Sequence, residues 1–414
     1  MRSTSPRAAA AIAAAGVAVL LASSLPPPSR LLSRPARGDV AEYFRYAQRT
    51  FDGQVPYRDF TLEYPPGALP VLLAAGPADQ GYYDRFRVLM LALGAAAVVL
   101  LVVALFLVGA NAAELTAGVL VLATLPLTLE TGLVFERFDL WPTALVLLAL
   151  VALLRSRRVL GLAALGVGGV AKLYPLALVP LALLAPQGRA HLRRDVAVVA
   201  GAALAFALPF GIVAPYGLAH VARLLVERPL HVESLGGSIL LAAHRLGFYE
   251  PTIYLSIGTS WDLAGPAAKV VALVGSLVEG VALVAVWLFF ARGPRGHREL
   301  LLAVAAAVVG FVAFGKILSP QYLVWVAAAV PLALGRVRPL ALTATLAAIL
   351  LTRYVYIDGY DDLLQAGRVS WVMLARNGLL VALFCSLLFE LAARGRAPTA
   401  TPALASMTSD SKPP

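Results

Sequence analysis

Gly38-Asp39-Val40-Ala41-Glu42-Tyr43-Phe44, then Gly53-Gln54-Val55-Pro56-Tyr57-Arg58-Asp59-Phe60, then Glu63-Tyr64-Pro65-Pro66-Gly67, form one polar, aromatic, acid-bearing loop between the apolar runs Ala8 to Ala22 and Val88 to Val108. A bilayer protein needs only short turns to connect its helices, so a loop of this length and polarity points to chemistry or recognition.

Working outward, the 414-residue chain is 60% hydrophobic and 14% charged, against roughly half and a quarter in a soluble domain. This composition is that of an all-α polytopic membrane protein. The formal net charge of +11 is carried almost wholly by arginine, and in such a protein the placement of basic residues beside the spans sets orientation. Nucleic acid is therefore not implied. A lone cysteine, Cys385, in an apolar run excludes a disulfide framework and a cysteine metal site. The scarcity of lysine beside abundant Ala, Gly and Arg suggests a bacterial genome of high GC content, hence a bacterial plasma membrane.

The run Ala8 to Ala22 follows Arg2 and Arg7 and ends near Ser23-Ser24, so it reads either as a cleavable signal peptide or as a retained first span. The retained span is favoured, and both readings put the loop at 26–85 on the outer side. Further runs lie near Val88–Val108, Leu115–Leu129, Leu140–Leu154, Val196–Val213, Ala267–Phe290, Leu300–Phe314, Tyr322–Leu334, Leu340–Leu351 and Val369–Leu391. About ten full crossings are expected.

Basic clusters at 155–158, 189–194, 292–298, 336–338 and 394–396 belong in the cytoplasm by the positive-inside rule. The run between Arg158 and Arg189 must then enter the membrane and return on the same side. It reads as two half-length helices meeting at the polar elbow Ala171-Lys172-Leu173-Tyr174-Pro175. Segments 26–85, 131–139, 216–265, 316–321 and 353–368 face outward and hold most of the acidic residues. Residues 1–396 form a single integral-membrane domain, and 397–414, rich in Pro, Ser, Thr and Ala, reads as a disordered cytoplasmic tail.

No Gly-x-x-x-x-Gly-Lys-Ser/Thr loop occurs, which disfavours ATP-driven transport by this chain alone. No His-Glu-x-x-His or zinc-spaced histidines occur, and no Asp-x-Asp pair suited to a nucleotide-sugar donor with a divalent metal. Any transfer must use a donor available outside.

Asp39 opens a helix-compatible stretch with Glu42 three residues on, a capping-box pattern. The alternative is a surface carboxylate that takes a proton from an acceptor hydroxyl. Tyr43, Phe44, Tyr46, Phe51, Tyr57, Phe60 and Tyr64 read as an interfacial belt or as a platform for sugar rings. Glu63, charged beside an apolar helix, is costly without a function. Lys172 is either a snorkelling residue or a phosphate ligand. Arg137, Arg228, Lys316 and Arg353 are further outer cations. Ser319-Pro320-Gln321-Tyr322 reads as a helix start with proline near N1.

These motifs together resemble glycosyltransferase family 87 (DUF2029-like), polyprenyl-phosphate-mannose-dependent α-mannosyltransferases of the GT-C fold. The resemblance rests on Gly38-Asp39 with Tyr43-Phe44, Pro56-Tyr57-Arg58-Asp59-Phe60, Glu63-Tyr64-Pro65-Pro66-Gly67, Arg137-Phe138-Asp139, Ala171-Lys172-Leu173-Tyr174-Pro175, Arg228-Pro229 with Glu233-Ser234, and Ser319-Pro320-Gln321-Tyr322-Leu323. It implies inverting transfer from a lipid-linked sugar at the outer face, with Asp39 as the base. Lys172, Arg137 and Lys316 would hold the donor phosphate. Glu63, Tyr64, Tyr57, Asp59, Asp139, Glu233, Gln321 and Tyr322 would line the substrate site. No cofactor or metal is implied, because cations can neutralise a single phosphate. The implied partners are a polyprenyl-phosphate sugar, a glycolipid or envelope-glycan acceptor and the bilayer. Asp39, Lys172 and Lys316 are expected to face one outward cavity. A transporter or flippase for a lipid-linked glycan is the alternative, and a non-catalytic envelope scaffold a third reading.

Overall fold

The computed structural model describes residues 4–25, 39–185, 191–256 and 260–396. Residues 26–38 of the long loop, Arg189 of the second basic cluster and the tail 397–414 lie outside the described residues.

The described chain is mostly helical, and its apolar helices make a multi-pass membrane architecture. Seven described helices are long and apolar enough to cross a bilayer: Pro6–Ser23, Tyr82–Leu107, Leu192–Val213, Pro266–Arg292, His297–Phe314, Arg338–Asp358 and Val369–Arg396. The other three expected crossings are shorter. Leu115–Leu129 is divided into Ala112–Ala123 and Leu125–Thr128, where Pro126 removes a backbone donor and restarts the helix. Tyr322–Leu334 becomes the helix Leu323–Ala329 between 3-10 turns at Pro320–Tyr322 and Val330–Leu332, each opened by a proline. Leu140–Leu154 has 15 residues, about 22 Å of helix against roughly 30 Å of hydrocarbon.

That short helix is buried at every residue except Trp141 and Leu148, and His297–Phe314 is buried along most of its length. Both form the centre of the bundle. Leu192–Val213 and Pro266–Arg292 instead turn apolar side chains outward, with Ile212 71% and Val281 70% exposed. A helix can afford such a face only in lipid.

The stretch from Arg158 to Leu184 forms the helix Arg158–Gly169, a short connection, a 3-10 turn at Tyr174–Leu178 and the helix Val179–Leu184. Lys172 lies in the connection. Helix Arg158–Gly169 packs against Leu192–Val213 closely enough that a Cβ on Gly166 would lie 2.5 Å from the Val199 carbonyl oxygen.

The all-α expectation needs one correction. Leu230–His231, Thr252–Leu255 and Trp261–Ala264 form a three-stranded antiparallel sheet with Trp261–Ala264 in the centre. The β-branched and aromatic run Thr252-Ile253-Tyr254-Leu255 favours a pleated surface, and the segments are too short for helices. The sheet covers a small second core containing Leu230, Val232, Leu263, Leu363 and Met373.

Side-chain bonds gather the segments at two ends. At one, Arg298 donates to the Val108 carbonyl at 3.0 Å, Arg338 to that of Glu114, and Arg394 to that of Leu334 while pairing with Glu299 at 3.5 Å. Three of the five basic clusters therefore converge there. At the other, the loops bearing Asp39, Arg137, Lys172, Arg228, Lys316 and Tyr360 meet.

A buried ion pair, Arg158 Nε to Asp195 at 2.7 Å, ties the hairpin to Leu192–Val213, and the same guanidinium donates to the Ala182 carbonyl at 3.0 Å. Removing one partner of a buried pair costs about 3–5 kcal/mol, because the other charge is left unpaired. Asp195→Ala should therefore lower the thermal unfolding midpoint of the detergent-solubilised protein clearly below that of the parent. An unchanged midpoint would show that the pair carries no stability.

Candidate functional site

The site begins with a backbone contact. Gly67 N–H donates to the Val170 carbonyl at 2.7 Å, and Trp141 Nε1 donates to the Gly67 carbonyl at 3.0 Å. A Cβ on Gly67 would lie 2.6 Å from the Val170 carbonyl carbon, so only glycine permits the approach. This contact seats the turn at Glu63–Gly67 against the connection that carries Lys172.

Lys172 is neither snorkelling nor solvated. Its ammonium lies 3.5 Å from Asp139 Oδ1 and within 4.7 to 5.7 Å of the ring centroids of Phe138, Tyr64, Tyr322 and Trp325. Ring faces attract a cation, more strongly once it is desolvated. Trp325 sits between Tyr322 and Tyr174 in a near-parallel stack, at 4.0 and 4.2 Å between centroids. Burial pushes the Asp139 carboxyl above its ordinary range, while Lys172 and Arg137 pull it back.

The capping-box expectation for Asp39 is corrected. Asp39 holds the N-cap position of Val40–Phe51, yet its side chain makes no cap hydrogen bond because the residue is already in helical conformation. Its carboxylate pairs instead with Arg137, and Tyr43 donates to Oδ2 at 3.5 Å. Glu42 pairs with Arg45. Burial acts to lower the Arg137 pKa, but Asp39 together with Tyr43, Tyr356 and Tyr64 outweighs it and raises the guanidinium above its usual value. Arg137 Nε is buried without a hydrogen bond among the described residues.

Lys172 and Lys316 line one cavity of about 200 Å³, together with Glu63, Tyr64, Arg228, Glu279, Tyr322 and Trp325. Lys316 donates to the Val226 carbonyl at 2.5 Å, and His231 N–H to the Lys316 carbonyl at 3.0 Å, so the sheet fixes the lysine backbone. Burial raises the Glu63 carboxyl, with Arg228 opposing. Two larger clefts adjoin. One, of about 450 Å³, shares Glu63 and Arg228, and the other, of about 690 Å³, shares Arg228 and Lys316.

The expectation that Asp39 faces the same cavity is corrected. Neither Asp39 nor Arg137 is among its walls, because Tyr43 and Tyr64, 5.8 Å apart, intervene. Arg137 spends its charge on Asp39. The aromatics form neither a belt nor an open platform: Tyr43, Tyr46, Tyr57 and Phe60 are buried in the core, Phe51 is exposed, and Tyr64 alone among them lines the cavity. Tyr57, with a positive φ of 66°, donates to the Tyr64 carbonyl at 2.7 Å and so shapes the loop.

Asp59 pairs with Arg58 at 2.9 Å and accepts from Val55 N–H at 2.7 Å, which makes it a turn residue. Gln321 is buried in the 3-10 turn before Tyr322. Glu233 belongs to a separate buried group, where it accepts from Tyr360 at 3.2 Å and faces Arg376 at 3.9 Å. Burial pushes its carboxyl up to about 7, against the pull of Arg376.

The sequence motifs do not reveal Trp325 and Tyr174 as ring walls, Phe138 as a ring against Lys172, or Glu279 as a cavity carboxylate. Trp325 follows Tyr322 at i+3, which puts both on one helix face, and Glu279 stands out as an acid within an apolar run. The sequence matches no protein-family model and no curated protein.

Proposed function

We propose that the protein is a membrane glycosyltransferase of GT-C type, moving a hexose from a polyprenyl-phosphate donor to a lipid or envelope-glycan acceptor at the extracytoplasmic face. Mannose is the sugar that the family 87 resemblance suggests. The observation that carries the reading is the convergence of Lys172, Arg228 and Lys316 on one small aromatic-walled cavity. Cations in a low-dielectric site are suited to a lipid phosphate and to the charge that grows on it as the sugar leaves. Aromatic walls suit the apolar faces of a sugar ring.

In this reading Asp39 takes the proton of an acceptor hydroxyl while its oxygen attacks the anomeric carbon. The bond from that carbon to the phosphate oxygen breaks, and the electron pair stays with the polyprenyl phosphate. Attack opposite the leaving group inverts the anomeric centre. Arg137 holds one carboxylate oxygen and leaves the other, on which Tyr43 rests, to receive the proton. Lys172, Arg228 and Lys316 meet the departing phosphate.

Purified protein supplied with polyprenyl-phosphate-mannose and membrane lipid should transfer sugar, and Asp39→Ala should lower kcat by about 10²–10⁴-fold. Transfer that survives the substitution removes Asp39 from the mechanism. No transfer by the parent with any polyprenyl-phosphate sugar would favour the transporter or scaffold.

The alkaline limb of the pH profile tests the phosphate site separately. Burial lowers the Lys316 pKa below its ordinary 10.5, with Glu279 opposing. The cationic form is complete at low pH and is lost as pH rises through the lowered value. Turnover should therefore decline before a free lysine would titrate, and Lys316→Arg should remove that limb, since arginine stays charged. An identical limb in both proteins would exclude Lys316 as its origin.

A further inference from the structure

Pro266–Arg292 is a membrane-length helix with an apolar outer face, on which Leu277 and Val281 are each more than 60% exposed. Its opposite side carries Lys269, Ala272, Ser276 and Glu279, spaced three and four residues apart and thus along one stripe. Lys269, Ala272 and Ser276 line the cleft of about 690 Å³, and Ser276 and Glu279 line the inner cavity of about 200 Å³. The lipid-facing helix therefore turns its only polar stripe toward the two spaces that Arg228 and Lys316 share.

A carboxylate within a membrane span is costly and is retained where it meets a partner or a ligand. Glu279 has no hydrogen bond or ion pair within 4 Å among the described residues, and Lys316 is the charge that acts on it across the cavity. Its Oε2 lies 3.7 Å from the position a Cβ on Gly315 would take, which puts the carboxylate at the outer end of His297–Phe314. Pockets for drug-sized ligands run from about 300 to 1,000 Å³. At about 200 Å³ the inner cavity suits a single sugar ring.

We propose that Glu279 is a specificity-determining residue that accepts hydrogen bonds from the hydroxyls of the donor's sugar, with Ser276 beside it and Tyr322, backed by Trp325, as the stacking wall. This inference rests on the glycosyltransferase reading and extends it. A free carboxylate accepts strongly from hydroxyls, and a site built for hydroxyls rejects ligands that lack them.

The test compares the binding of two lipids to protein in nanodiscs: polyprenyl phosphate and polyprenyl-phosphate-mannose. Glu279→Leu suits a lipid-embedded helix, and Glu279→Gln preserves shape and acceptor while removing charge. The leucine variant should weaken the mannose-bearing lipid about 10-fold or more and leave bare polyprenyl phosphate within about twofold. The glutamine variant should recover part of the loss. Equal weakening of both lipids would assign Glu279 to the phosphate or to packing, and no weakening would remove it from the site; either overturns the inference while leaving the transferase reading intact. Failure of the parent to bind either lipid would overturn both.

Discussion

The close seating of Gly67 on Val170 governs everything at the working end of this protein. A backbone contact at 2.7 Å with no room for a side chain joins a loop near the start of the chain to an elbow about a hundred residues later. Trp141 anchors the same glycine from the short central helix. Three elements distant in sequence are thereby fixed together, and Tyr64 and Lys172 face one another as a result. Such a contact is rigid because neither partner has a rotamer to change.

Charge is handled by the same economy throughout. Lys172 has Asp139, Asp39 has Arg137, Arg158 has Asp195 and Glu233 has Arg376. An unpaired charge in hydrocarbon is expensive, so pairing is the condition for keeping these residues at all. Against that background the cavity differs. Among the described residues, Lys172, Arg228, Lys316, Glu63 and Glu279 share one small space without closing into ion pairs, apart from the contact of Lys172 with Asp139. Buried groups that keep unfilled capacity are where ligands bind.

Much of this architecture was legible beforehand. Seven long apolar runs became long helices, the half-length hairpin formed around Lys172, and Glu63, Tyr64, Lys172, Lys316 and Tyr322 meet. Helix length was overestimated at Pro126 and Pro331, since hydropathy averages do not register a missing donor, whereas Leu192–Val213 runs on through Pro209. The sheet at 230–264 escaped notice because its strands are only two to four residues long. Asp39 looked like a cap by spacing alone; spacing reports position along a helix and not where a carboxylate finds its strongest partner. Asp59 and Glu233 share the chemistry of site residues, but local and distant partners, Arg58 and Arg376, claim them.

The ring pair Tyr43 and Tyr64, 5.8 Å between centroids, separates Asp39 from the cavity. In the proposed reaction this wall divides a proton-accepting side from a phosphate-bearing side. Arg137 occupies one oxygen of Asp39 and the rings screen the rest from the cavity cations. Opposite charges needed for the two halves of one reaction can then coexist within a single buried region, provided that the sugar alone bridges the wall.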